Sequence, residues 1–169
     1  TSSALRSAQA CEACAPALVL DTRKTTPAHR ELEKAAVAAG GGTNHRHGLF
    51  DRVLVKDNHL ALTGMSMTAA VDRARSEYPD LLIEVEADDL DGVRAAAEAG
   101  VDWILLDNMS TADLREAVAV AAGRSRLEAS GGMTLDRAAE AARTGVDAIS
   151  VGALTHSAPS LDLGLDITE

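Results

Sequence analysis

Aromatic residues are nearly missing from this 169-residue chain: Trp103, Tyr78 and Phe50 are the only three. Proteins that hold single-stranded nucleic acid stack its bases on several aromatic faces, so that class is excluded. Basic charge is scarce too, with 16 Lys+Arg against 26 Asp+Glu and a formal net charge of −10. Nucleic acid and acidic membrane surfaces both require a basic footprint that this balance does not provide. Apolar stretches such as 117–122 fall far short of the ~20 residues that a membrane-spanning helix needs. No charged segment followed by an apolar one precedes the first element, so no secretory leader is expected and the expected compartment is the cytoplasm. Cysteine is limited to Cys11 and Cys14. Their lone C-x-x-C has no second ligand pair and no strand context. In an Ala-rich stretch that reads as a helix, it is expected to be structural.

What the chain does have is ordinary globular material, 46% hydrophobic and 25% charged. Its length is enough for one domain with a real core. Six short runs rich in β-branched residues or Leu, at 17–21, 52–56, 82–86, 103–107, 126–129 and 148–151, alternate with helical patterns. They read as near-continuous apolar runs, which is how strands covered on both faces look. Thr26 with Pro27 reads as a helix start and Gly40 as its end, with Leu32, Ala35, Ala36 and Ala39 as the buried stripe and Lys34 on the exposed face. The same grammar recurs from Asp91 through Val93, Ala96 and Ala97 to Gly100, and from Thr134 through Leu135, Ala138, Ala139 and Ala142 to Gly145.

Strand starts in the second half recur about every 22 residues. Such βα repetition specifies a parallel sheet, doubly wound or closed as a barrel. The expected fold is a single α/β domain over 1–169, a TIM-like parallel (β/α) barrel. A complete eightfold barrel takes ~250 residues, so six to seven strands and incomplete closure are expected. The helix at 2–13 is expected to cover one end of the barrel, and 161–167 to supply a final edge segment.

Parallel sheets bind ligands at the carboxyl ends of their strands. Reading those ends in order gives Asp21-Thr22-Arg23-Lys24, then Lys56-Asp57-Asn58-His59, Glu84-Val85-Glu86, Asp107-Asn108, Ser130-Gly131-Gly132 and Gly152-Ala153-Leu154-Thr155-His156. The loop Gly40–Gly48, with His45 and Arg46, leads into the second strand. Of only three lysines, Lys24 and Lys56 stand at strand ends. Cations gathered at one rim of an acidic protein point to an anionic small molecule, because guanidinium groups grip carboxylate or phosphate in two-point contact. The plainer alternative is that they neutralise nearby acids. Glu86 and Asp107 end neighbouring strands. They either serve one pocket, as ligands for Mg²⁺ or as a negative field for a cationic transition state, or pair with rim cations. The glycine turns after the last two strands allow close backbone approach to a phosphate.

In this order the motifs Asp21-Thr22-Arg23-Lys24-Thr25, Gly41-Gly42-Thr43-Asn44-His45-Arg46, Lys56-Asp57-Asn58-His59, Glu84-Val85-Glu86, Leu106-Asp107-Asn108, Ser130-Gly131-Gly132 and Val151-Gly152-Ala153-Leu154-Thr155-His156 resemble those of the quinolinate phosphoribosyltransferases. The resemblance runs from about Leu18 to the C-terminus. It implies a glycosyltransferase of pyridine nucleotide biosynthesis, making nicotinate mononucleotide, pyrophosphate and CO₂ from quinolinate and phosphoribosyl pyrophosphate (PRPP) with Mg²⁺ for NAD biosynthesis.

The resemblance also implies roles. Arg23, His45, Arg46 and Lys56 hold the dicarboxylate, while Lys24 reaches the phosphorylated substrate with Thr22 in the same turn. Lys24, Lys56, Glu86 and Asp107 are the catalytic set, Glu86 and Asp107 also being the candidate metal ligands. Ser130, Gly131, Gly132, Val151, Gly152 and Ala153, with His156, cradle the 5′-phosphate. Family members are homodimers in which an N-terminal sandwich-like domain covers the partner's site and adds an arginine. These 169 residues correspond to the barrel alone, so an excerpt, a split chain or a truncated homologue is expected. Two alternatives remain: a related pyrophosphorylase-like phosphate-binding barrel, and a non-catalytic nucleotide-binding remnant.

Overall fold

The structure, a computed structural model, describes residues 2–162, 164 and 165. Six strands, β1 (Leu18–Leu20), β2 (Val53–Val55), β3 (Ile83–Ala87), β4 (Trp103–Asp107), β5 (Arg126–Ser130) and β6 (Ala148–Ser150), pair in the order β1-β6-β5-β4-β3-β2. Every pairing is parallel. β1 and β2 are the two edges, so the barrel is not closed by strand-to-strand hydrogen bonds. At this seam a single bridge adds Thr43 to the outer edge of β1: Thr43 N donates to Val19 O at 2.8 Å and Asp21 N to Thr43 O at 3.2 Å. All six strands lie where the sequence places them, and the incomplete closure expected from the chain length is present.

Eight helices are described: α1 (Ser2–Cys14), α2 (Arg30–Ala39), α3 (Asp57–Thr63), α4 (Met67–Glu77), α5 (Leu90–Glu98), α6 (Thr111–Ala121), α7 (Leu135–Ala142) and α8 (Ala153–His156). Four of these starts are fixed by side chains that accept an otherwise unbonded N–H. Ser66 accepts from Ala69 N, Asp89 from Gly92 N and Thr134 from Arg137 N, and Ser110 with Asp113 forms a capping box. The α5 cap is therefore Asp89, two residues before the expected Asp91.

Three expectations are corrected. α2 begins at Arg30, not at Pro27, because Ala28 takes a left-handed φ of 65° that a helix cannot contain. Its buried residues are Lys34 and Val37, while Leu32 is 70% exposed. The apolar stripe read from the sequence thus faces outward, and the lysine faces in. α1 does not cover a barrel end. Its buried stripe of Ser3, Ser7, Ala10 and Cys14 lets it pack in the outer layer against α2, α7 and β1. Cys14 is buried, Cys11 is half-buried, and both are free thiols. Of the expected edge segment at 161–167, residues Leu161, Asp162, Gly164 and Leu165 form no strand, and the others lie outside the described residues. No described helix is long and apolar enough to cross a membrane.

The main core lies between strands and helices. Val19, Val85, Ile104, Leu106, Ala129 and Ile149 meet helical Ala96, Ala117, Ala138 and their neighbours there. Alternation then turns the other residues of each strand toward the barrel axis. Leu20, Trp103 and Ala148 make a small inner cluster. The Arg52 and Arg126 guanidinium carbons stand 5.4 and 5.5 Å from the Trp103 ring centroid, at cation–π distance. Around it the interior carries Glu84, Glu86, Glu128 and Ser150, so β3 and β5 alternate apolar and polar. The near-continuous apolar reading fits β4 and fails for β3 and β5.

Gly131 has a steric reason to be glycine. Its φ is +92°, and a Cβ there would lie 2.2 Å from Asn108 Oδ1 and 2.9 Å from the Asn108 backbone N. Gly100 also has positive φ, +69°, but nothing lies within 4 Å of such a Cβ. Gly100→Ala is therefore expected to cost about 1 kcal/mol in urea unfolding, and Gly131→Ala about 3 kcal/mol because a backbone clash adds to the conformational cost. Equal losses would show that Asn108 yields.

Candidate functional site

Two loops and four strand ends meet at one mouth of the barrel. A cavity of about 270 Å³ there is lined by Asp21, Thr22, Arg23 and Lys24 after β1, by His45 and Arg46 from the seam, and by Lys56, Glu86, Asp107 and Ser130 at the ends of β2 to β5. Leu54, Leu105, Glu128 and Ser150 form its floor. Nine of the expected site residues line this space: Thr22, Arg23, Lys24, His45, Arg46, Lys56, Glu86, Asp107 and Ser130. Gly152 does not line it but neighbours Thr22. A Cβ on Gly152 would lie 3.6 Å from Thr22 Oγ1.

The rest of the late turns sits to one side. Val151 and Ala153 border a separate groove of about 250 Å³ with Met133 and Thr134. His156 stands over Gly152, its Nε2 2.9 Å from where a Cβ would be. Gly131 is occupied by Asn108, whose Nδ2 donates to Asp107 Oδ2 at 2.9 Å, so this glycine makes room for the group that steadies Asp107. Gly132, at φ +55°, has Arg137 as its neighbour. The late turns are tied to the cationic loop by Thr155, whose hydroxyl donates to Lys24 O at 2.7 Å.

Charge under the mouth is organised by His45. Its Nε2 lies 3.0 Å from Glu84 Oε2 and 3.1 Å from Glu128 Oε2, and both carboxylates are buried. Arg52 Nη1 donates to Glu84 Oε2 at 3.2 Å, and Ser150 Oγ donates to Glu128 Oε1. Burial works against a charged imidazole, but Glu128 and Glu84 outweigh it and raise the His45 pKa to about 9. Burial also pushes Glu84 up, yet His45 and Arg52 hold it below its ordinary value. Glu128 stays raised, since burial and the Glu84 charge exceed what His45 offsets. These shifts favour a protonated imidazole between the two carboxylates, with Arg52 Nη1 also 3.1 Å from His45 Nε2.

Two further cations have less local compensation. Arg23 Nε is buried without a hydrogen-bond partner among the described residues. Burial first, and then Arg23 beside it, lowers the Arg46 pKa from its ordinary value. Paired guanidinium groups in this state fit an incoming carboxylate or phosphate. Lys56 is different: it pairs with Glu86 across β2 and β3, so the rim pairing weighed as an alternative does occur there, as it does at His45 with Glu84 and Glu128.

Sequence reading missed several participants. Asp88 brings its carboxylate within 4.8 Å of those of Glu86 and Asp107. Glu128 and Arg52 lie beneath the mouth at alternate positions of their strands, and strict period-two reading of Arg126-Leu127-Glu128-Ala129-Ser130 would have pointed Glu128 inward. Lys34, expected on an exposed face, is 1% exposed and pairs with Asp21 at 2.5 Å. No helical period reveals a partner 13 residues away.

The His45 cluster has a pH signature. Because its folded pKa exceeds the unfolded value, its stabilisation is complete below about pH 6.5 and is lost as pH rises through about 9. Over that window the chain is expected to lose on the order of 3 kcal/mol more than the His45→Gln variant in parallel urea titrations. Parallel pH profiles for the two would contradict the cluster.

Comparisons with known proteins point to one family. The family described as quinolinate phosphoribosyl transferase, C-terminal domain, matches residues 1–166. A Mycobacterium leprae protein named nicotinate-nucleotide pyrophosphorylase (carboxylating) is 47% identical over 154 residues, 89% of this chain and 54% of that protein. A probable enzyme of the same name from Bacillus subtilis is 45% identical over 151 residues, 89% of this chain and 52% of its own length. The crystal structure of the nicotinate-nucleotide pyrophosphorylase from Ehrlichia chaffeensis superposes with a TM-score of 0.93 at 39% identity, covering 99% of this chain and 62% of that one. The chain spans about half the length of the curated relatives it matches. Sequence motifs, open six-stranded barrel and family match coincide, and the chain belongs to the quinolinate phosphoribosyl transferase family as its C-terminal domain.

Proposed function

We propose that this site transfers the phosphoribosyl group of PRPP to quinolinate and decarboxylates the product, giving nicotinate mononucleotide, pyrophosphate and CO₂. The observation that carries the reading is one cavity of about 270 Å³ that brings Arg23, His45, Arg46 and Lys56 together with Glu86 and Asp107. Adjacent ring carboxylates need several cations held close together, and this lining supplies them. PRPP occupies the remainder. Lys24 meets its phosphates, and Ser130, with the turns at Gly132 and Gly152 and with His156, holds the 5′-phosphate, whereas Val151 and Ala153 border the separate groove and Gly131 is filled by Asn108.

Breaking the bond at the sugar C1 builds positive charge on the ring, which Glu86 and Asp107 stabilise. The pyridine nitrogen attacks C1 as pyrophosphate leaves. The nitrogen is then cationic and accepts the electron pair left when the 2-carboxylate departs as CO₂, after which a proton completes C2. The step needs no dedicated base.

The carboxylate oxygens of Glu86, Asp88 and Asp107 lie within 4.8 Å of one another, an all-oxygen donor set that suits Mg²⁺. When bound, Mg²⁺ supplies charge neutralisation for the pyrophosphate. Beside the mouth, a cleft of about 670 Å³ adds exposed Leu49 and Phe50, with Tyr78 and Leu81, to the cationic wall. We assign this cleft to the covering domain of a homodimer partner in the cytoplasm.

The direct test mixes the complete protein carrying this chain with quinolinate, PRPP and Mg²⁺ and assays nicotinate mononucleotide. Its absence under conditions where the protein is folded would overturn the reading. In calorimetric titrations Arg46→Ala and Lys56→Ala are each expected to weaken quinolinate binding about 10- to 100-fold, the worth of one charge-assisted contact. Arg94→Ala, on an exposed face and paired with Asp91, is the control and should leave binding unchanged. Glu86→Gln should lower kcat at least tenfold with little change in KM, because its charge acts on the transition state. A raised KM at unchanged kcat would move Glu86 from catalysis to binding.

A further inference from the structure

The least expected feature of the molecule is a lysine on the inner side of α2, buried at 1% exposure in an ion pair with Asp21. Buried ion pairs are poor stabilisers, because desolvating two charges cancels much of their attraction. Asp21 illustrates this: burial raises its pKa, and Lys34 only partly offsets the rise. What the pair touches gives it another task. Asp21 Oδ1 accepts from Lys34 Nζ at 2.5 Å and from the His45 backbone N at 2.9 Å. Lys34 Nζ also donates to His45 O at 3.3 Å. Asn44, with its amide oriented to satisfy its neighbours, donates to Asp21 Oδ2 at 2.7 Å and to Lys34 O at 2.9 Å. The pair therefore grips the peptide groups on both sides of His45, immediately before Arg46.

One helical turn earlier on α2, Arg30 does a similar thing for the other loop. Its Nη2 donates to Arg23 O at 3.2 Å, its Nη1 to His47 O at 3.5 Å and its Nε to Thr25 Oγ1 at 3.4 Å. The two cations, at i and i+4, lie on one side of the helix and tie the Arg23–Lys24 loop to the His45–Arg46 segment. That segment crosses the seam where β1 and β2 do not pair.

We infer that Lys34 and Arg30, with Asp21, are positioning residues that set the spacing between the two cationic loops, and with it the site's selectivity for a planar dicarboxylate. The inference rests on the proposed function for its substrate and on contacts within α2 and the loops for its mechanism. Neither Lys34 nor Arg30 lines the cavity.

The test compares the complete protein with its Lys34→Met variant and with the compensated Lys34→Met/Asp21→Asn variant, which leaves no lone buried charge. Both are expected to raise the quinolinate KM at least tenfold with the PRPP KM within twofold of the parent. The double variant should also recover most of the Tm lost in the single one. Arg30→Met should likewise raise the quinolinate KM selectively. A quinolinate KM that returns to the parental value with the Tm, or both KM values rising together, would make the pair merely structural and overturn the inference. Amide hydrogen exchange provides a readout that needs no substrate. Protection of the His45 and Arg46 N–H groups should fall at least tenfold in the double variant while β3 to β5 stay protected. If the parent does not use quinolinate, the proposed function fails and exchange alone decides: unchanged protection at these two amides, or loss spread through the sheet, overturns the positioning role.

Discussion

A six-stranded barrel whose edge strands do not bond to each other must cross its seam by other means, and here a side chain crosses it. His45 leaves the segment bridged to β1 and places its ring between Glu84 of β3 and Glu128 of β5. Charge at the centre of the barrel thereby does part of the closing that hydrogen bonds would do between paired strands. Imidazolium and carboxylates support each other only while all are present, since any one left alone would be a buried, unpaired charge. The mouth inherits its electrostatics from this arrangement. Glu84 and Glu128 below it are ion-paired with His45, and Glu84 also with Arg52, although Glu84 Oε1 and Glu128 Oε2 make no hydrogen bond among the described residues; Arg23 and Arg46 above remain available to an anion.

Backbone conformations follow from the same geometry. Asn108 adopts a left-handed φ of 55°, which an asparagine tolerates better than most residues, and from there its amide reaches Asp107. Gly131 on the neighbouring strand end has given up its Cβ to let that happen. Ala28 at φ 65° has no such excuse in its side chain. The loop it belongs to is held by Arg30 at Arg23 O and Thr25 Oγ1, and those contacts fix a conformation that alanine alone disfavours.

Much of this was readable in the letters. Strands announced themselves because apolar runs bounded by glycine and capping residues recur at a nearly constant spacing. The mouth was readable because parallel βα topology sends every strand's carboxyl end to one side, so Arg23, Lys56, Glu86 and Asp107 were bound to meet. What stayed hidden depends on partners far apart in sequence. Helical periodicity ranked Leu32 above Lys34 for burial, since it weighs each side chain alone and cannot see Asp21 waiting at the end of β1. Glu128 was missed for a related reason: a short strand with polar residues on its inner face resembles an edge strand until the barrel is drawn around it. The family's motifs carried the site as a set of letters. The contacts that hold the letters in place, through Arg30, Lys34, Asn108 and Thr155, became visible only in three dimensions.

The most direct trial of the account is a crystal structure of the complete protein with quinolinate bound. The account predicts the two ring carboxylates at the barrel mouth within hydrogen-bond distance of Arg23, Arg46 and Lys56, above a His45 still seated between Glu84 and Glu128. Quinolinate bound elsewhere, or held there without contact to those three cations, would contradict it.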